Sequence, residues 1–367
     1  MKTSTALLAA SKKYKKYVWK YFYGTSKRLS AYLFDFDKHE LDVLLLLSVD
    51  SPLDLSTFLG QTFYGLEKII NNPSYQHYQI KKKKGGWRDI YAPDEELKKI
   101  QKRLNNCLQA YYLSVKPAEV HGFVINLGTD KQCNIAANAI AHTHKKYVLN
   151  MDLKDFFPNI SAKQVFDVFF SPLFGYNEQI ATALTLLTTL NGALPTGAPT
   201  SPAISNFACL DLDKLLNIHA IAHSIDYTRY ADDLTFSSNQ AFTDDIRNGI
   251  SHIIQDCGFI INEKKVRLVT SNRKQTVTGL TVNETVNVDR KLLKQVRAML
   301  HDLETNGWDK AAQKHLKLTN LPDKLHRAMF MNKLVGYINF IGQIKGTTNK
   351  GFTSLNNKLV QILTGAA

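Results

Sequence analysis

The stretch Asp226-Tyr227-Thr228-Arg229-Tyr230-Ala231-Asp232-Asp233-Leu234-Thr235-Phe236-Ser237 decides how this sequence folds. An aromatic and β-branched run leads in, an acidic pair occupies the middle, and an alternating Leu-Thr-Phe-Ser run leads out. The pattern predicts a strand, a tight turn and a returning strand, with both carboxylates at the tip. Adjacent aspartates at a hairpin tip repel each other and gain nothing from packing. A cationic partner is therefore expected, and a divalent metal held through oxygen ligands is the economical one. Taken alone the pair reads as an ordinary turn, because Asp is common in turns for local hydrogen-bonding reasons.

A second stretch changes that reading. Lys146-Tyr147-Val148-Leu149-Asn150-Met151-Asp152 predicts a short, mostly apolar strand ending on an aspartate, followed by Leu153-Lys154-Asp155-Phe156-Phe157-Pro158. Placed beside the hairpin, this strand brings Asp152 to Asp232 and Asp233. Three carboxylates in one place suit two metal ions roughly 3.5–4 Å apart, the arrangement for in-line phosphoryl transfer.

Composition sets bounds around this centre. The chain has 367 residues, 44% hydrophobic and 21% charged, enough for two or three subdomains with cores of their own. Its net charge of +14 is uneven. Residues 1–30 hold eight Lys/Arg and no acid, and residues 289–367 hold thirteen Lys/Arg against five acids, so the excess lies at the two ends. Basic ends flanking an acidic site suit a polyanion, though a solvated surface explains any single charge run. Cys107, Cys133, Cys209 and Cys257 lack CxxC spacing, so reduced thiols of a cytoplasmic protein are expected rather than disulfides or zinc. The longest apolar run, Leu41 to Val49, contains Asp42 and is too short to span a bilayer. No secretion signal is evident, and no membrane partner is expected.

In chain order, residues 1–75 predict mainly helix. Their basic, aromatic start (Lys12, Lys13, Tyr14, Lys15, Lys16, Tyr17, Trp19) suits either a single-stranded nucleic acid or a helix with lysines in solvent. Residues 75–93 predict a hairpin with a Gly85-Gly86 turn and basic arms, and Glu95 to Tyr112 a helix. Residues 161–190 are expected to be helical. Leu194-Pro195-Thr196-Gly197-Ala198-Pro199-Thr200-Ser201-Pro202 breaks regular structure before a helix from Ala203 to Leu216. From Arg290 onward the spacing is helical with a basic face.

Tyr-Ala-Asp-Asp in a hairpin, with an apolar strand ending in Asp upstream, resembles the palm of a reverse transcriptase, over roughly residues 78–300 and in the family's order. Asn138-Ala139-Ile140-Ala141-His142 and Val277-Thr278-Gly279 resemble elements of the bacterial retron reverse transcriptases in particular. The resemblance implies site roles. Asp152, Asp232 and Asp233 are the catalytic metal ligands, for two Mg²⁺ ions with Mn²⁺ as an alternative. Arg88 contacts the triphosphate of the incoming nucleotide. The matching lysine falls among Lys81 to Lys84, with Lys84 assigned. Asp155 lies near the triphosphate path. Phe157, with Phe156 as the competing ring, is the steric gate that rejects a ribose 2′-hydroxyl. Lys265, or Lys264, serves the pyrophosphate leaving group. Thr196 stands where the family has Gln in its Leu-Pro-Gln-Gly loop; it keeps a hydroxyl and loses reach. Close backbone approach at a primer grip is the expected reason for Gly279.

The expected fold is α+β, a right-hand polymerase with fingers, a ferredoxin-like palm and an α-helical thumb. The expected divisions are a basic helical region (1–75), fingers (76–146), palm (147–288, with inserted finger helices at about 161–205) and thumb (289–367). No ribonuclease H, maturase or endonuclease domain is expected. The implied function is RNA-directed DNA synthesis from deoxynucleoside triphosphates. A structured noncoding RNA would be copied into branched, RNA-linked DNA, primed from a guanosine 2′-hydroxyl. The family's setting adds anti-phage defence and an effector protein. The alternatives are an abortive-infection or diversity-generating reverse transcriptase, an RNA polymerase (which Phe157 disfavours), and an RNA-binding scaffold holding an effector.

Overall fold

The computed structural model describes residues 2–22, 31–82, 85–126 and 132–365. In chain order it forms α1 (Ser4–Phe22), α2 (Lys38–Leu47), α3 (Pro52–Leu59), α4 (Phe63–Asn71), β1 (Tyr75–Lys81), β2 (Trp87–Pro93) and α5 (Glu95–Tyr112). Next come α6 (Ile135–Ile140), β3 (Tyr147–Asp152), α7 (Ala162–Phe170), α8 (Glu178–Thr188), α9 (Ser201–Ala208) and α10 (Leu210–Ala222). The hairpin strands are β4 (Asp226–Tyr230) and β5 (Asp233–Ser238), followed by α11 (Asp244–Asp256), β6 (Arg267–Thr270), β7 (Thr276–Val277) and β8 (Leu280–Thr281). The chain continues through α12 (Arg290–Leu316), α13 (Lys324–Lys345) and α14 (Lys350–Thr364). This mixture of helix and sheet is the expected α+β class. The chain divides into two compact units, Met1–Asn134 with Leu149–Arg267, and Ile135–Val148 with Leu268–Ala367.

In the first unit the helix starts are written into the sequence. Asp37 and Glu40 form a capping box on α2, Ser161 and Gln164 another on α7, and Asp94 caps α5 with Glu95 and Glu96 in its first turn. Ser51 with Pro52 opens α3 and left-handed Gly60 closes it. Apolar faces of α5 and α9 meet at Phe207, whose ring lies 5.2 Å from Tyr112 and 5.1 Å from Phe174 of the segment after α7. Two expected helices are each divided. Residues 161–190 form α7 and α8 around an extended Ser171, and the helix expected from Ala203 breaks at Cys209 (φ −91°, ψ 2°) into α9 and α10.

The hairpin forms as expected, with Tyr230 opposite Asp233 and β5 beside β3. Its two-residue loop is Ala231-Asp232. A positive φ of 59° at Ala231 and not at Asp232 is the pattern of a type II′ turn. The alternation expected for β5 gives way to burial of Leu234 through Ser238, because both faces are covered. On β4 this puts a charge in the core. Arg229 and Asp213 of α10 are both fully buried and pair bidentately, Nε to Oδ1 and Nη2 to Oδ2 at 2.7 Å each. Tyr227 Oη donates to the same carboxylate at 2.8 Å.

The second unit holds its own core, in which Val296, Met299 and Leu303 of α12 pack with Phe330, Leu334 and Ile338 of α13 and Leu355 and Leu359 of α14. Gly307, with φ 73° and ψ 178°, interrupts α12. Beside the first residues of β3 runs β6, and Ser271 N–H donates to Lys146 O at 2.8 Å. Thr278 (φ 46°) and Gly279 (φ 83°) make the two-residue turn between β7 and β8, and both positive values mark a type I′ turn. The reason for Gly279 is therefore its left-handed backbone. Within this chain a Cβ there would meet nothing within 4 Å.

Breaking the buried pair should be costly, and replacing it whole should not. Arg229→Met is expected to lower unfolding free energy by about 3–5 kcal/mol, and Asp213→Leu/Arg229→Met to regain most of that. Denaturant unfolding of the three proteins measures it; a double variant as unstable as the single one would contradict the assignment.

Candidate active site

The site is assembled where β3, the β4–β5 turn and the segment after α11 meet. Leu153 N–H donates to Asp232 O (2.9 Å), Lys154 N–H to Ile260 O (2.8 Å) and Asn262 N–H to Asp152 O (2.8 Å). Three backbone bonds thus fix where Asp152 and Asp232 stand. The Asp152 carboxylate is nearly buried and accepts from Lys265 Nζ at 2.7 Å and from Asn262 Nδ2 at 3.2 Å.

Gly122 sets the height of the turn. A Cβ built on it would lie 2.3 Å from Ala231 N and 2.8 Å from Tyr230 C, so no side chain fits beneath the turn. The Glu119–Phe123 segment is held alongside β4 by Arg229 N–H to Glu119 O and His121 N–H to Arg229 O, both 3.0 Å.

Electrostatics mark the same place. Burial raises the Asp232 carboxyl above its ordinary range, and the Asp152 charge adds to it, against the pull of Lys265 and Arg88. Asp233 is pushed up to about 6, by loss of hydrating water first and then by the charges of Asp232 and Asp152. Its side chain remains exposed at the surface, so the desolvation comes from the protein mass around it. Carboxylates held in mutual repulsion are a donor set for a hard cation. Among the described residues, no three acidic, His or Cys side chains are gathered tightly enough to cage an ion alone. A divalent cation here would draw on Asp152 and Asp232 and complete its shell with water and substrate phosphates.

A cavity of about 770 Å³ opens from these carboxylates. It gathers most of the residues singled out from the sequence: Asp152, Asp155, Phe157, Thr196, Asp232, Lys265 and Arg88 all line it. Arg88 is exposed on β2, and Asp155 is exposed with a left-handed φ of 42°. Of the two candidate gate rings, Phe156 is buried against Phe259, whereas Phe157 is half-buried. Lys265 lines the cavity and Lys264 does not. Lys84, the lysine assigned from the sequence, lies outside the described residues, as does Lys83; Lys82 lines the cavity. The Thr196 loop is pinned to the β1–β2 hairpin by Tyr91 N–H donating to Thr196 O (2.8 Å), and a Cβ on Gly197 would sit 2.9 Å from Tyr91 O.

Sequence reading missed the supports. The sequence alone singles out none of Asn262, Gly122, Asn206 and Asp213. The one available signal was Arg229, a cation between the aromatic and β-branched residues of a core strand, which demands a buried partner.

Residues 80–282 match the family described as reverse transcriptase (RNA-dependent DNA polymerase). The chain is 36% identical over 234 residues to the retron Ec86 reverse transcriptase of Escherichia coli, an alignment covering 62% of this chain and 70% of that one. It is 33% identical over 261 residues to the retron Mx65 reverse transcriptase of Myxococcus xanthus, covering 66% of this chain and 59% of the relative. Against the retron Ec73 reverse transcriptase of Escherichia coli it is 30% identical over 344 residues, covering 86% and 96%. The chain belongs to the reverse transcriptase (RNA-dependent DNA polymerase) family and, within it, to the bacterial retron reverse transcriptases. Membership carries a general dependence on a divalent metal, with an RNA template and nucleotides as substrates. Among the described residues no helix is long and apolar enough to cross a membrane.

The raised Asp233 carboxyl fixes the sign of a pH effect. Its native pKa of about 6 stands above the ordinary 3.8, so ionisation opposes the fold, and the metal-free protein loses stability as pH rises through that window. Asp233→Asn should raise the metal-free Tm by about 1–3 °C at neutral pH. The gain should vanish below 3.8, where the wild-type carboxyl is protonated. Thermal unfolding across pH, with chelator present, measures this; a gain that persists in acid would place its cause elsewhere.

Proposed function

We propose that this protein copies a structured noncoding RNA into RNA-linked, branched single-stranded DNA by two-metal nucleotidyl transfer. The observation that carries the proposal is the convergence of Asp152 and Asp232 on one cavity that Arg88, Lys82, Phe157 and Lys265 also line. A primer hydroxyl attacks the α-phosphorus of a deoxynucleoside triphosphate, a new phosphodiester forms, and pyrophosphate leaves. Asp152, Asp232 and Asp233 would hold two Mg²⁺ ions, which when bound supply charge stabilisation at the attacking and leaving oxygens.

The remaining work is positioning and charge neutralisation. Arg88, a planar multi-donor cation, grips the triphosphate with Lys82 beside it. Lys265 offers a proton or a charge to the departing pyrophosphate. The ring of Phe157 takes the volume a ribose 2′-hydroxyl would need, which favours deoxynucleotides. In the second unit the exposed residues Arg290, Lys291, Lys294 and Arg297 of α12 suit the phosphates of the growing duplex. The setting we propose is an anti-phage defence complex, in which the RNA–DNA product and this protein hold an effector.

Expression with the upstream flanking DNA should yield a small DNA species that is trimmed by ribonuclease and shortened by debranching enzyme. Asp232→Asn/Asp233→Asn should abolish it, a loss of at least about 10³-fold. Activity on an annealed RNA template and DNA primer without such a species would retain the polymerase and reject the branched product.

A further inference from the structure

Beneath the catalytic turn, side chains with no contact to the carboxylates form one continuous chain of bonds. Asn206 of α9 is fully buried. Its Nδ2 donates to the backbone oxygens of Gly122 (3.1 Å) and Phe123 (3.3 Å), and its Oδ1 accepts from Arg229 Nη1 at 3.0 Å. The same Nη1 reaches Ala231 O at 3.2 Å, on the residue joining Tyr230 to Asp232. One amide therefore touches both the segment under the turn and the cation that holds the turn.

The chain also runs the other way. Phe123 has a φ of 57°, a conformation that a bulky side chain keeps only where its surroundings over-determine it. Here they are the Asn206 bond to its carbonyl and a stack on Phe157, with ring centroids 5.8 Å apart at 25°. The ring facing the nucleotide sugar thus rests on a ring whose backbone is fixed by Asn206.

We propose that Asn206 and Phe123 are positioning residues which set, from one buried point, both the turn presenting Asp232 and the ring of Phe157 that meets the sugar. This rests on the roles proposed above for Phe157 and the aspartates. Asn206 acts through Arg229 and through Phe123, and Phe123, which itself lines the cavity, acts through its stack on Phe157. Phe123 should therefore govern sugar choice alone, whereas Asn206 should govern sugar choice and metal response together.

The test is primer extension by the full chain with deoxy- and ribonucleotides, reading the ratio of the two kcat/KM values and the half-saturating Mg²⁺ concentration. Phe123→Leu is expected to lower sugar discrimination about tenfold and leave the Mg²⁺ midpoint unchanged. Asn206→Leu is expected to lower discrimination and raise the midpoint severalfold. Phe157→Val serves as the control on the underlying reading. If Phe157→Val leaves discrimination intact, the gate reading fails. If it lowers discrimination while folded Phe123→Leu and Asn206→Leu both keep wild-type values, the positioning proposal alone is overturned. Should Asn206→Leu not fold, Phe123→Leu decides by itself.

Discussion

The structure is governed by a conflict of charge. Asp232 and Asp233 are held near Asp152 in a place partly stripped of water, and the charge on Asp152 disfavours the ionisation of both. No gain from packing offsets this, so the arrangement persists only because stiffer contacts elsewhere impose it. The lysine on Asp152 and the arginine near Asp232 relieve part of the repulsion, and both belong to groups suited to a triphosphate. Substrate and cation then complete what the protein leaves electrostatically incomplete.

The stiff contacts lie below, among fully buried side chains. An exposed ion pair is worth little and bends easily, whereas Arg229 and Asp213 are fully buried and joined through two short bonds. Such a pair contributes little net stability compared with apolar residues of the same size, so its presence argues for geometry rather than energy. Arg229 has a donor left over for the carbonyl of Ala231, the strained residue of the turn. Gly122 closes the gap from the other side, since its missing side chain lets two backbones touch. Together they hold an L-residue in a left-handed conformation that glycine would adopt more readily.

What the sequence made legible follows from the range of each interaction. The hairpin, α5 and the helix starts depend on neighbours a few residues away, and periodicity, turn residues and caps report these directly. The aspartates were legible because two acids in a turn and one at a strand end are unusual for packing reasons alone. The helix break at Cys209 carries no Gly or Pro to mark it, whereas the one at Ser171 was legible in Pro172 and Gly175 and was read through, so α7 to α10 were read as longer pieces. The full burial of β5 was not legible either, because alternation shows which residues could face solvent and not what covers them.

The supports of the site were hidden for a different reason. Asn206, Asp213 and Gly122 lie between 7 and 91 residues from one another, and each is an unremarkable residue in its own stretch. Only the closing of β4 against α9, α10 and the Glu119–Phe123 segment turns them into a set. Yet the demand for such a set was readable. A charge placed among Tyr227, Thr228 and Tyr230 in a core strand cannot remain unpaired, since an isolated buried guanidinium would cost far more than the strand gains. The sequence motif therefore carries two messages: Asp232 and Asp233 announce a cation to come from solution, and Arg229 announces an anion already built into the fold.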